Sequence, residues 1–227
     1  MRLLPQNKWG GGPENANIAG LPVDYIIQQL ADFKSGARKS AVQKRGPTEL
    51  KARLAQHATD AEIAAAAAYF AAIPTRSWVR IVETDMVPKS FVTGWHLAAV
   101  TTGEKEPIGQ RIIEVPEDLE QFVSRDTRSR FVAYVPNGSI QMGQQLATTG
   151  GNGKTVQCSL CHGPELKGVG PIPGIAGRSP TYTVRQLYDF KHGARAGSAS
   201  QLMTQSVEKL TIDDMITLAA YVASLKP

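Results

Sequence analysis

The chain has 227 residues, 42% hydrophobic, 20% charged and 7% aromatic, with a formal net charge of +5 and only two cysteines. That length suits two domains, or two with an inserted piece, and no apolar run is long enough to span a membrane. Basic residues are scattered, and the charge divides as +3 over 1–74, −1 over 75–136 and +3 over 137–227, so a nucleic-acid groove has little support.

Taken in order, the N-terminus Met1-Arg2-Leu3-Leu4-Pro5 is too short and too soon interrupted for a signal peptide. The stretch from Tyr25 to Phe33 has helical spacing and ends at Gly36, where a C-terminal stop belongs. Residues 75–136 change character. The runs 78–82, 91–92, 95–100, 111–115 and 131–135 favour strands, and Pro88, Gly94, Gly103, Pro107, Gly109 and Pro116 punctuate them. They predict a small β-rich connector packed on one or both flanking domains. Beyond it, 139–148 predicts a short helix before the loop Thr149-Gly150-Gly151-Asn152-Gly153. Helices follow from Tyr182 to Gly193, over 199–209, and from a Thr211 cap to the C-terminus, with Asp213 and Asp214 in the first turn of the last.

The chain repeats itself. Ile18-Ala19-Gly20, Tyr25, Gln29-Leu30 and Asp32-Phe33-Lys34 return as Ile175-Ala176-Gly177, Tyr182, Gln186-Leu187 and Asp189-Phe190-Lys191, with Gly36-Ala37-Arg38 matching Gly193-Ala194-Arg195. The offset is 157 throughout, and 12 of the 21 aligned positions are identical. Ala67-Ala68-Tyr69 matches Ala219-Ala220-Tyr221 at an offset of 152. Two copies of one domain are the economical explanation.

Both cysteines fall in Cys158-Ser159-Leu160-Cys161-His162. C-x-x-C-H is the attachment sequence of a c-type haem: each thiol forms a thioether with a vinyl group, and the histidine becomes the proximal iron ligand. One helical turn presents both sulfurs to one porphyrin edge and brings the next side chain under the metal. A Cys-x-x-Cys redox pair needs no histidine at the next position, and a zinc site needs two further ligands that no second cysteine pair supplies. Short helices and loops bury little core among themselves, and a haem provides an apolar body to pack around. For the sixth ligand, Met203 lies 41 residues beyond His162 in a polar stretch. Met215 sits on the apolar side of the last helix opposite Ile63 of the first copy, which is a core position, and Met142 is core or partly exposed. His192 is an alternative ligand, but its counterpart is Ser35.

Residues 137–227 resemble a class I cytochrome c domain, and the whole chain resembles the bacterial two-domain, di-haem cytochromes c. The resemblance rests on the Gly143 helix, Cys158, Cys161 and His162, the loop Pro173-Gly174-Ile175-Ala176-Gly177, the Gln-Leu-x-x-Phe helix, Met203 and the Ala-Ala-Tyr helix. It implies a mainly α fold: two cytochrome c-like helical domains, 1–74 without a haem motif and 137–227 with one covalent haem c, joined by the connector 75–136. It also implies that the Pro173 carbonyl accepts the His162 ring N–H, and that Tyr221 and Gly143 mark the crossing of first and last helices. Arg178 and Tyr182 are implied at the haem edge or a propionate, with a surface arginine and a packed core tyrosine as the plain alternatives.

At the first copy, Cys158, Cys161 and His162 fall on Met1, Leu4 and Pro5, and Met203 falls on Lys51. As written, that copy has nothing to attach a haem, and Lys51 and His57 are given surface roles. Met-Arg-Leu-Leu-Pro can be encoded ATG-CGG-CTA-CTG-CCA; read one base later with the C of a Gln6 codon, this gives Cys-Gly-Tyr-Cys-His. Such codons in the gene would place the true start, and an export signal, upstream; other codons would leave plain decay of the first copy.

With histidine and methionine filling both axial sites, the expected function is one-electron transfer between periplasmic redox proteins, or as a subunit of a dehydrogenase or oxidase chain, without catalysis of its own. A mildly basic face suits an acidic redox partner. The alternatives are a peroxidase-like haem enzyme and a haem-based sensor, both of which need a vacant or labile sixth site.

Overall fold

The computed structural model describes residues 12–42 and 45–227; residues 1–5, which the repeat sets opposite the haem motif, lie outside them. Helix α1 (Val23–Ser35) ends where expected, with Gly36 at φ 78° in the left-handed conformation that glycine adopts without strain. Helix α2 (Gly46–His57) is followed by α3 (Asp60–Ala71), which opens with a capping box between Thr59 and Glu62. Leu21, Ile26 and Ala67 are the buried centre of this half, with Ile18, Tyr25, Leu30 and Phe70 around them. Helix α2 carries no periodic apolar signal because it buries only Pro47 and Ala55.

The middle segment holds seven strands: β1 (Val79–Glu83), β2 (Met86–Pro88), β3 (Ser90–Thr93), β4 (His96–Ala99), β5 (Lys105–Pro107), β6 (Ile113–Pro116) and β7 (Phe131–Val135), with the short helix α4 (Leu119–Val123) before the last. β7 is the centre of a three-stranded sheet, parallel to β1 (Val79 opposite Phe131) and antiparallel to β6 (Ile113 opposite Tyr134). Alternation along β7 splits the core in two. Phe131 and Ala133 join Trp78, Val79 and Phe122 on one side, while Val132 joins Val87, Ile108, Ile113 and Val115 on the other. Edge-to-face rings tie the first side together, Trp78 to Phe131 at 5.4 Å and Phe131 to Phe122 at 5.2 Å. The sequence predicts neither β2 nor β5. Their terminal prolines, Pro88 and Pro107, read as punctuation but sit at the ends of a two-stranded pair.

The C-terminal half runs α5 (Ser139–Thr149), α6 (Ser159–His162), the hairpin β8 (Gly168–Val169) and β9 (Ile172–Pro173), then α7 (Pro180–Lys191), α8 (Gln201–Val207) and α9 (Ile212–Ser224). The helix expected over 199–209 is divided: a 3-10 turn at Ser198–Ser200 leads into α8, which ends at Val207. Thr211 and Asp214 form a capping box at the start of α9. α5 and α9 cross at Gly143, where a Cβ would land on the Thr217 carbonyl and stand 2.9 Å from the Tyr221 Cβ.

The two halves meet in a seam that follows the repeat. Lys39 N–H donates to the Ala194 carbonyl at 2.7 Å, and Ala196 N–H donates to the Ala37 carbonyl at 2.8 Å. Arg38 donates to Tyr182 Oη at 3.1 Å and Gln186 Oε1 at 3.0 Å. Its counterpart Arg195 donates to Tyr25 Oη at 3.3 Å and Gln29 Oε1 at 2.7 Å. Each guanidinium also lies over a phenylalanine of its own half, Arg38 over Phe33 at 4.6 Å and Arg195 over Phe190 at 4.0 Å.

Lys51 corrects its expected surface role. It is half-buried, and burial first, then Arg38, Arg185 and Arg45, hold its pKa down to about 7 against the partial opposition of Glu14. His57 is exposed, as a surface role requires. Between about 7 and the unfolded lysine value of 10.5 the folded chain binds fewer protons at Lys51 than the unfolded chain does, so stability rises with pH across that window. Lys51→Met is expected to stabilise the protein at pH 7 by about 0.5–2 kcal/mol and to flatten that rise. Denaturant titrations at several pH values measure both.

Candidate haem site

Helix α6 is a single turn, closed by the His162 N–H donating to the Cys158 carbonyl at 2.9 Å. The Cys158 N–H donates to the Ala147 carbonyl at 2.9 Å, which fixes the turn to the end of α5. Residues three and four apart share a helix face, so Cys158 has Cys161 and His162 beside it. Gly163 ends the turn at φ 74°, and a Cβ there would stand 2.8 Å from the Gly168 carbonyl oxygen. The chain then passes through a 3-10 turn at Pro164–Leu166 into the β8–β9 hairpin, which carries Pro173.

His162 is 8% exposed, and its Nδ1 lies 2.8 Å from the Pro173 carbonyl oxygen. A carbonyl only accepts, so Nδ1 carries the proton and Nε2 keeps its lone pair. Burial pushes the imidazole below its ordinary pKa, which favours this neutral, metal-binding form. Both cysteines are free, and burial pushes the Cys158 thiol up to about 11. A thiol so raised is a poor exchange nucleophile, which weighs against a Cys-x-x-Cys redox pair.

Met203, on α8, is half-buried and packs on the apolar cluster of Leu146, Ala147, Phe190, Val207, Leu210, Met215 and Leu218. Cys158 packs on the same cluster, as do Val184, Leu187 and Tyr188. Met215 is fully buried within it, as its pairing with Ile63 predicts, while Met142 is 51% exposed. His192 is exposed; its Nδ1 meets the Tyr188 carbonyl at 2.9 Å and its ring stacks on Tyr188 at 3.9 Å. Its ring is thus engaged with its own helix.

Arg178 and Tyr182 turn to the seam. Arg178 is 9% exposed, not a surface arginine, and donates through Nε to the Gly174 carbonyl at 2.5 Å and through a terminal nitrogen to the Asn17 carbonyl at 2.7 Å. The Tyr182 hydroxyl accepts from Arg38. Arg38, Arg195 and Asp189, which accepts the Ala41 N–H at 2.9 Å, are not among the expected site residues, although the repeat carries their signal: Tyr, Gln, Asp and Arg are retained in both copies where packing alone needs no polar group. Glu114 carries no such signal; it is 2% exposed on β6, and its carboxylate accepts from Ser179 Oγ at 2.7 Å.

Two thiols on one turn, an imidazole with only Nε2 left to coordinate, and a thioether on the same apolar cluster form a donor set that fits haem c. Among the described residues no group of three or more His, Cys, Asp or Glu is placed to hold a free metal ion.

Comparison with known proteins agrees. A family model described as Cytochrome c matches residues 140–226. The cytochrome c-554(548) of Halomonas halodenitrificans is 35% identical over 75 residues, 33% of this chain and 90% of that protein. The thiosulfate dehydrogenase electron acceptor of Stutzerimonas stutzeri is 23% identical over 209 residues, 92% of this chain and 69% of that protein. Two other curated relatives are matched over less than half their length: 28% of the cytochrome c-552 of Acidithiobacillus ferridurans and 40% of the cytochrome c4 of Azotobacter vinelandii. Among solved structures, the cytochrome c4 of Acidithiobacillus ferrooxidans superposes with a TM-score of 0.59 at 21% identity, over 94% of this chain and 90% of that one, which shows the fold.

Proposed function

The chain belongs to the cytochrome c family, and on that premise we propose that it is a one-electron carrier holding one haem c through Cys158 and Cys161, with His162 and Met203 as axial ligands. When bound, the haem supplies a ferric–ferrous couple, and a neutral thioether ligand favours the ferrous form. The chain's own part is to hold and exclude. His162 keeps Nδ1 on the Pro173 carbonyl and so presents Nε2 in one orientation. The cluster beneath Cys158 and Met203 keeps water from the site. The observation that carries this reading is the bond from His162, on a turn that also bears both thiols, to the Pro173 carbonyl of the hairpin.

Residues 137–227 then form the haem domain, 1–74 a cytochrome c-like domain without a haem motif, and 75–136 the β-rich connector that braces them. Its donor is an oxidoreductase of the class named for the Stutzerimonas relative, and the +3 charge of 137–227 suits an acidic docking face. Covalent haem attachment supports a periplasmic location; among the described residues no helix is long and apolar enough to cross a membrane.

A pyridine haemochrome spectrum with intact mass, on protein from its native host, is expected to give one haem per chain; none would overturn the reading. The reduced protein is expected to bind carbon monoxide slowly and the oxidised form to keep a methionine–iron absorption band. Rapid binding without that band would favour the peroxidase or sensor class instead.

A further inference from the structure

Two helices of the haem-bearing half are capped by carboxylates from the β segment. α5 starts after Gly138, which has no side chain to offer its free N–H groups, and Glu83 of β1 accepts the Ile140 N–H at 2.9 Å. α7 starts after Ser179, whose Oγ accepts the Tyr182 N–H at 3.1 Å and donates its own proton to Glu114 Oε2 at 2.7 Å. The same oxygen accepts the Thr181 N–H at 3.2 Å. Anionic groups are favoured at both places by the helix dipole, but the two residues differ in burial. Glu83 is exposed, whereas Glu114 is 2% exposed, and its Oε1 has no partner. A carboxylate buried that completely is costly to keep, and helix capping alone does not need it, since Ser179 already caps α7.

What Glu114 touches leads back to the iron's ligand. Ser179 follows Arg178, whose Nε holds the Gly174 carbonyl at 2.5 Å. Gly174 follows Pro173, whose carbonyl receives the His162 N–H at 2.8 Å. Arg178 is also held from the N-terminal half, through the Asn17 carbonyl at 2.7 Å. The loop carrying the His162 acceptor is thus fixed at its far end by the one buried acid of the β segment.

We propose that Glu114 is a positioning residue for His162: by fixing Ser179 and the start of α7 it holds Arg178 and the Pro173 carbonyl in place, and so sets the strength of the hydrogen bond to the proximal imidazole. The proposal rests on the haem reading above. A stronger Nδ1–H to carbonyl bond makes the imidazole a better donor to iron and favours the ferric state; loosening the loop favours the ferrous state.

The test compares Glu114→Ala with Glu114→Gln in the haem-containing full chain, by equilibrium titration against a redox dye and by hydrogen exchange at 173–182. Glutamine keeps an oxygen to accept from Ser179 and Thr181. We expect Glu114→Ala to shift the ferric–ferrous equilibrium at least threefold toward ferrous and to speed exchange in the loop, while Glu114→Gln stays within twofold of wild type. Should Glu114→Ala not fold, Ser179→Ala cuts the same link and is expected to shift the equilibrium in the same sense. A lowered Tm with an unmoved equilibrium would reduce Glu114 to a structural cap, and equal shifts for alanine and glutamine would mean that charge, not position, matters. Either result overturns the proposal. Wild-type protein that holds no haem would defeat the haem reading itself, whereas an unmoved equilibrium in protein that holds haem defeats only the role of Glu114.

Discussion

Gly143→Ala is expected to cost the haem-bearing half about 3 kcal/mol or more and to leave most of the protein without haem. The new Cβ would occupy the position of the Thr217 carbonyl and stand 2.9 Å from the Tyr221 Cβ. The Thr217 carbonyl is backbone in mid-helix and the Tyr221 Cβ is fixed by its own backbone, so α5 and α9 must move apart as rigid bodies. Separation opens the packing of Leu146 and Ala147 against Met215 and Leu218, because interiors are filled too closely to absorb such a shift. Alanine's better helix propensity returns only about 1 kcal/mol. Tyr221→Leu should not rescue the variant, since the carbonyl remains in the way; rescue would point to the ring as the obstacle. Thermal melting and haem stoichiometry measure the outcome.

Met203→Ala separates ligand from core. It is expected to abolish the methionine–iron band and allow carbon monoxide to bind the reduced protein rapidly. Its stability cost should be about 2 kcal/mol, the low end for a methionine truncation, because Met203 is only half-buried. Met215→Ala is the control. That side chain is 0% exposed in the same cluster, so its loss should cost more, about 2–5 kcal/mol, and leave the absorption band in place. If Met215→Ala removed the band and Met203→Ala did not, the ligand assignment would be reversed.

The site was legible because its chemistry is local in sequence: Cys158, Cys161 and His162 need one turn, and a turn is four residues. The helices with clear apolar stripes or caps, α1, α5, α7 and α9, were legible for the same reason. What escaped is what depends on distant partners. α2 has almost no buried face of its own, and β2 and β5 are three-residue strands that exist only as each other's neighbours. Glu114 reads as an ordinary strand residue until α7 is laid across it. Lys51 reads as a surface lysine until Arg38, Arg45 and Arg185 gather around it. Arg178 shows the same limit, since nothing local says that an arginine after Gly177 will reach the Asn17 carbonyl.

The seam gives the first half a reason to persist that has nothing to do with iron. Each arginine is answered by a tyrosine and a glutamine of the opposite half, so discarding one half strands hydrogen-bonding groups in the other. Excising 1–74 would uncover Arg178, Tyr182 and Arg195 together and take the Asn17 carbonyl from the loop that holds His162's acceptor. Selection on the redox centre of the second half therefore reaches across to its twin. The interlocking residues are kept in both halves because each half depends on those of the other.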